Sequence, residues 1–213
     1  MLEEKRCLNK MINQTMNYLI HLPSDYDALN NRKWPVILFL HGAGERGDNL
    51  DDIKKYGIHR YLDEKNLPFV VVSPQCPKDT FWDVHIKELN AIIDEIKEKY
   101  DIDSNKIYLV GISMGAFCAW NFAMQQTKLF SAMIVIAGGA MLPKYAYRIK
   151  HIPIWVVHGK NDKEVPVEES RKIVTVLKDL GANVKYTEYP NAGHELCTTI
   201  FENDEIYKWL LSK

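Results

Sequence analysis

The chain predicts an α/β domain: a mostly parallel central sheet flanked by helices, with no large lid domain. Three observations carry this. Apolar runs of four or five residues with no polar interruption, Phe69–Val72, Val36–Leu40 and Ala132–Ile136, are the pattern of strands covered on both faces. They alternate with stretches of helical periodicity from Val36 to the end of the chain, which specifies crossover units and hence parallel pairing. The loops that follow the runs hold the unusual polar residues, as expected where ligands meet the carboxyl ends of a parallel sheet.

The elements follow in order. Tyr18 to Leu22 is a short apolar run ended by Pro23, a first strand. Val36–Leu40 is the second, and it runs into His41-Gly42-Ala43-Gly44-Glu45-Arg46-Gly47. A modest helix is expected over Ile53 to Leu62, then the strand Phe69–Val72, stopped by Ser73-Pro74. Apolar residues at Ile86, Leu89, Ile93, Ile96 and Tyr100 recur at steps of three and four, an amphipathic helix. Ile107–Val110 is a strand, Ala116 to Gln125 a helix, and Ala132–Ile136 a strand closed by Gly138-Gly139. A connector from Ala140 to Pro153 leads into the strand Ile154–Val157; it is too short for a separate lid. Val167 to Leu180 carries acidic Glu168-Glu169 in its first turn and Gly181 just past its end, the start and stop signals of a helix. Val184–Tyr189 alternates with polar residues and reads as an edge strand, and Ile200 to Leu211 as the final helix.

Composition bounds the function. The 213 residues, 46% hydrophobic and 26% charged, suit one globular domain over 1–213, with 1–16 as an N-terminal extension or first edge strand. A net charge of -1 offers no basic field for a phosphate backbone, so nucleic acid is not an expected partner. Met1 to Arg6 is charged from the third residue and no long apolar run follows, so neither a secretory signal nor a membrane span is expected, and the location reads as cytoplasmic. Cys7, Cys76, Cys118 and Cys197 lack the paired spacing of a metal or redox site and read as free thiols. No metal or cofactor is expected.

The chemistry centres on Gly111-Ile112-Ser113-Met114-Gly115, between a predicted strand and a predicted helix. G-x-S-x-G gains meaning in that setting, where the serine sits on a sharp turn that exposes its hydroxyl above the sheet. A serine hydroxyl needs a base to attack, and an acid must orient that base. The loop after Ile154–Val157 is His158-Gly159-Lys160-Asn161-Asp162-Lys163-Glu164-Val165-Pro166, and the loop after the last strand ends in His194. Ser113, Asp162 and His194 thus stand in the chain order of the α/β-hydrolase triad. An imidazole, with an ordinary pKa near 6.5, can take the serine proton at neutral pH. Glu164 is the rival to Asp162, which is favoured as the first acid after its strand. The oxyanion donors are assigned to the backbone N–H groups of Met114 and Ala43. His41 and His158 each precede a glycine at a strand end and read as loop braces, while His21, His59, His85 and His151 lie outside these loops and read as structural or solvated. Trp120 and Trp155 read as core, and only Trp82, in a loop, as pocket.

Taken together, L-F-L-H-G-A-G-E-R-G-D, S-P-Q-C-P followed by F-W, V-G-I-S-M-G, H-G-K-N-D-K-E-V-P and P-N-A-G-H-E resemble the small α/β-hydrolase esterases of the phospholipase/carboxylesterase and dienelactone-hydrolase-like group, close to carbohydrate and feruloyl esterases of family 1. The resemblance runs from about Tyr18 to the C-terminus. It implies the Ser113, Asp162, His194 triad, the H-G-A-G loop as oxyanion hole, and Gln75 and Trp82 in the substrate cleft. Dienelactone hydrolases use a cysteine nucleophile where this chain has Ser113, which disfavours that activity. Many feruloyl esterases are secreted, and no signal is read here. The expectation is a cofactor-independent serine carboxylesterase, monomer or homodimer, acting on small acyl or aryl esters, hydroxycinnamoyl or sugar-linked esters among them. The alternatives are an acyl-thioesterase or lysophospholipase, a small peptidase, or a hydrolase-fold binding protein without turnover.

Overall fold

A computed structural model describes residues 15–26, 32–62 and 64–213. The segment 1–14, with Cys7 and most of the expected N-terminal extension, lies outside the described residues. Seven strands form one sheet: β1 (Tyr18–His21), β2 (Trp34–Leu40), β3 (Val70–Pro74), β4 (Ile102–Ile112), β5 (Ala132–Ile136), β6 (Ile154–Gly159) and β7 (Val184–Tyr189). Their order is β1-β3-β2-β4-β5-β6-β7, with β1 antiparallel to β3 and every other pair parallel. This is the expected α/β-hydrolase arrangement.

The uninterrupted apolar runs follow from burial on both faces. Side chains alternate along a strand, so Val36, Leu38 and Leu40 join one core while Ile37 and Phe39 join the other. The first core is closed by α2 (Ile86–Lys99), α3 (Met114–Gln125) and α4 (Glu168–Asp179). On the opposite face α1 (His59–Leu62), α5 (Leu196–Thr199) and α6 (Glu205–Leu211) cover Phe39, Phe69, Tyr108 and Trp155. No described helix is long and apolar enough to cross a membrane.

Two expected helices are broken. In place of one helix over Ile53 to Leu62, a 3-10 turn (Leu50–Lys55) and α1 flank Gly57. Gly57 has φ 63, and a Cβ there would stand 2.4 Å from the Phe39 ring, so close packing forces the left-handed break. In place of one helix over Ile200 to Leu211, a 3-10 turn (Ile200–Glu202) precedes α6, the Asn203 side chain accepting the N–H of Glu205 at 2.9 Å where the new helix starts, and α5 lies ahead of the expected stretch. The connector 140–153 contains a 3-10 turn (Pro143–Ile149), which buries Ala146 and Ile149.

The edge strand β7 is tied to α4 by one bidentate ion pair. Arg171 donates to both Glu188 oxygens at 2.9 and 2.6 Å, and the Tyr186 hydroxyl donates to the same carboxylate at 2.7 Å. The Arg171 guanidinium and then the Tyr186 hydroxyl hold the Glu188 carboxyl down at about 2, from an ordinary 4.5. A depressed folded pKa gives stability that is complete above about pH 4.5 and lost as pH falls towards 2. Glu188→Gln is expected to cost about 1 kcal/mol at pH 7, since the pair is partly screened by solvent. The difference from wild type should vanish in urea melts near pH 2.

Candidate active site

The sheet brings the marked loops together at the carboxyl ends of β2, β4, β6 and β7. At the end of β4 the chain must reverse within one residue to start α3. Ser113 takes that position with φ 49 and ψ -118, a conformation that costs a non-glycine residue about 1–3 kcal/mol and is held only by its surroundings. Its N–H donates to the Ile136 carbonyl at 2.9 Å. Gly111 and Gly115 permit the approach: a Cβ on Gly115 would lie 2.1 Å from the Leu40 carbonyl oxygen, and one on Gly111 2.5 Å from the Gly115 oxygen. With no side chain at either point, α3 packs directly on the backbone of β2 and β4. The Met114 N–H opens this helix, so it has no partner within it.

The loops after β6 and β7 supply the other two predicted residues. Asp162 is fully buried; its Oδ1 accepts the N–H groups of Glu164 and Val165, both at 2.9 Å. Its Oδ2 lies 2.7 Å from His194 Nδ1, and His194 Nε2 lies 3.0 Å from Ser113 Oγ. Burial alone would raise the Asp162 carboxyl, but the Val165 N–H, the His194 ring and the Glu164 N–H outweigh it and leave the carboxyl below its ordinary range. The rival acid, Glu164, stands on the other side of the ring, 3.6 Å from Nε2 and 72% exposed. Asp162 is thus the carboxylate on Nδ1, and Glu164 the one nearer Nε2.

The thiol of Cys197 lies 3.9 Å from His194 Nε2. Burial and the Asp162 and Glu45 carboxylates push that thiol up, so it stays protonated and a poor nucleophile. The hydroxyl of Ser113 stands nearer to the same nitrogen, at 3.0 Å.

The loop after β2 folds into a 3-10 turn, Ala43–Glu45. Ala43, Gly44, Glu45 and Tyr56 line one side of a cleft of about 760 Å³, and Asn161, Lys163, Glu164, His194 and Glu195 the other, with Ser113 between them. The structure does not place Gln75 or Trp82 on the cleft surface. Trp82 is fully buried and donates from Nε1 to the His41 carbonyl at 3.0 Å. Gln75, 2% exposed, donates from Nε2 to the carbonyls of Glu45 and Asn49 at 3.0 and 2.9 Å. Both brace the loop from behind, because its backbone carbonyls need buried donors. Arg46 adds a third tie, Nε to the Ala43 carbonyl at 3.0 Å.

His41 and His158 are braces, as their positions suggest. The His41 ring faces the Gly42 carbonyl through Nδ1 at 2.6 Å, and its Nε2 accepts the Cys76 N–H at 3.0 Å. His158 bonds Ser170 Oγ at 2.8 Å and the Val165 carbonyl at 3.0 Å, inside the turn that presents Asp162. Glu45 is the cleft residue that motif reading left without a role. It is buried beside the triad, and its signal was its place in the His41–Gly47 loop.

Burial lowers the His41 pKa to about 4, against a partial lift from the Gly42 carbonyl. A lowered imidazole pKa makes folding stability complete above about pH 6.5 and lost between there and pH 4. In a histidine NMR titration the His41 ring signals should stay flat down to about pH 5; a midpoint near 6.5 would contradict this packing.

Residues 75–210 match a family described as phospholipase/carboxylesterase. The chain is 27% identical over 191 residues to the bifunctional acetylxylan esterase/xylanase XynS20E of Neocallimastix patriciarum, covering 82% of this chain and 26% of that protein. It is 22% identical over 234 residues to the lysophospholipase-like protein 1 of Mus musculus, covering 91% and 93% of the two chains. Among solved structures, a thermostable esterase is 33% identical with a TM-score of 0.80 over 92% of this chain and 59% of that one. The chain therefore spans about a quarter of XynS20E and somewhat over half of the thermostable esterase.

Proposed function

The chain belongs to the phospholipase/carboxylesterase family, and from that membership we propose that it is a serine carboxylesterase hydrolysing small acyl or aryl esters through an acyl-enzyme. The observation that carries the reading is the continuous line of bonds from Asp162 Oδ2 to His194 Nδ1, at 2.7 Å, and from His194 Nε2 to Ser113 Oγ, at 3.0 Å. His194 Nε2 takes the Ser113 proton as Oγ attacks the ester carbonyl carbon. The carbonyl oxygen becomes an oxyanion and receives the N–H groups of Met114 and Ala43, each worth on the order of 3 kcal/mol in the transition state. Collapse breaks the carbon–oxygen bond to the alcohol, which leaves with the proton from Nε2. Water then attacks the acyl-enzyme by the same route, returning Ser113 and releasing the acid. Asp162 holds the imidazole in the required tautomer and stabilises the imidazolium.

Small esters are the proposed class: charged Glu45, Lys163, Glu164 and Glu195 share the cleft with apolar Tyr56 and Ile112, a mixed lining for a short acyl or aryl group. A hydroxycinnamoyl or sugar-linked ester remains within the proposal, and the name of XynS20E points the same way for the sugar-linked class.

Ser113→Ala and His194→Ala should each lower kcat on p-nitrophenyl acetate by about 10⁴-fold or more with the fold intact by circular dichroism. Full activity in either variant removes the triad assignment. Asp162→Asn should lose on the order of 10⁴-fold in kcat with a smaller change in KM.

A further inference from the structure

Glu45 is the buried charge that the proposed mechanism does not use. It is 5% exposed yet lines the cleft. Its Oε2 lies 3.4 Å from the point where Gly42 would carry a Cβ, and Ser113 Cβ lies 3.5 Å from the same point. The carboxylate therefore sits beside the nucleophile, within the loop that presents the Ala43 N–H. Burial raises its carboxyl above the ordinary range, against the opposing pull of the Glu45 and Gly42 N–H groups and of the His194 ring. Two further carboxylates stand around the same space. Glu164 is 3.6 Å from His194 Nε2, and Glu195 accepts the Gly193 N–H at 2.8 Å. Lys163 is the cation among the cleft residues. Lys163, Glu164 and Glu195 lie on the loops after β6 and β7, whereas Glu45 is the carboxylate buried in the loop after β2.

Two like charges a few ångströms apart in a partly dry site repel strongly, and salt screens them far less than it screens an exposed pair. We propose that Glu45 is a specificity-determining residue that disfavours esters whose acyl group carries a second, negatively charged group. The inference rests on the esterase reading and narrows it to uncharged or cationic acyl groups.

The test compares mono-p-nitrophenyl fumarate, whose trans carboxylate cannot reach its own ester carbonyl, with p-nitrophenyl (E)-4-methylpent-2-enoate, its uncharged isostere. In wild type kcat/KM should be at least about tenfold lower for the fumarate. Glu45→Gln should shrink that ratio by roughly fivefold or more. A change that merely disturbs the loop lowers both rates and leaves the ratio as it was, which would overturn the proposal. If wild type turns over the uncharged ester through Ser113 but accepts the fumarate equally well, the specificity claim fails and the esterase reading stands. If neither ester is turned over, it is the esterase reading that fails.

Discussion

Everything at this site depends on one strained residue. Ser113, at φ 49 and ψ -118, lets the chain leave β4 and enter α3 without a connecting loop. That conformation is uphill by itself; what holds it is the fit of α3 against the backbone. Gly115 meets the Leu40 carbonyl, Gly111 meets Gly115, and the Ser113 N–H is taken by Ile136. Three neighbouring strands thus specify the position of one hydroxyl. The sheet interior around them is fully buried on both faces, and close-packed interiors yield little to local strain.

The loops carrying the other groups are fixed in a different way, by buried hydrogen bonds rather than by steric fit. Asp162 is held by two backbone N–H groups before it meets His194. The turn after β2 hangs on Trp82, Gln75, Arg46 and the His41 ring. This explains why a histidine and a tryptophan close to the nucleophile are not themselves exposed to the cleft. They hold the loop after β2 in place, the rigidity that the proposed oxyanion donors require.

Much of this was legible in the residues. β5 and β7 fall where Ala132–Ile136 and Val184–Tyr189 place them, since a buried run closed by Gly138-Gly139 and an alternating run have few other readings. Ser113, Asp162 and His194 could be picked out because loop position after a strand carries directional meaning in a parallel sheet. What was not legible depends on contacts between distant segments. Gly57 breaks the helix over Ile53 to Leu62 because of the Phe39 ring, 18 positions earlier in the chain. Gln75 and Trp82 carry the polar and aromatic groups typical of a cleft, and only their donors' choice of Glu45, Asn49 and His41 carbonyls turns them inward. Glu45 has no periodicity or spacing to mark it; its burial beside Ser113 is a property of the folded loop.

The central claim is that this geometry activates Ser113 over every other nucleophile in the chain, Cys197 included. Reaction of the folded protein with a fluorophosphonate probe, followed by peptide mass spectrometry, tests that most directly. The account predicts one adduct, on Ser113, with labelling abolished in His194→Ala and in unfolded protein. An unlabelled Ser113 in folded protein, or labelling that survives loss of His194, would contradict it.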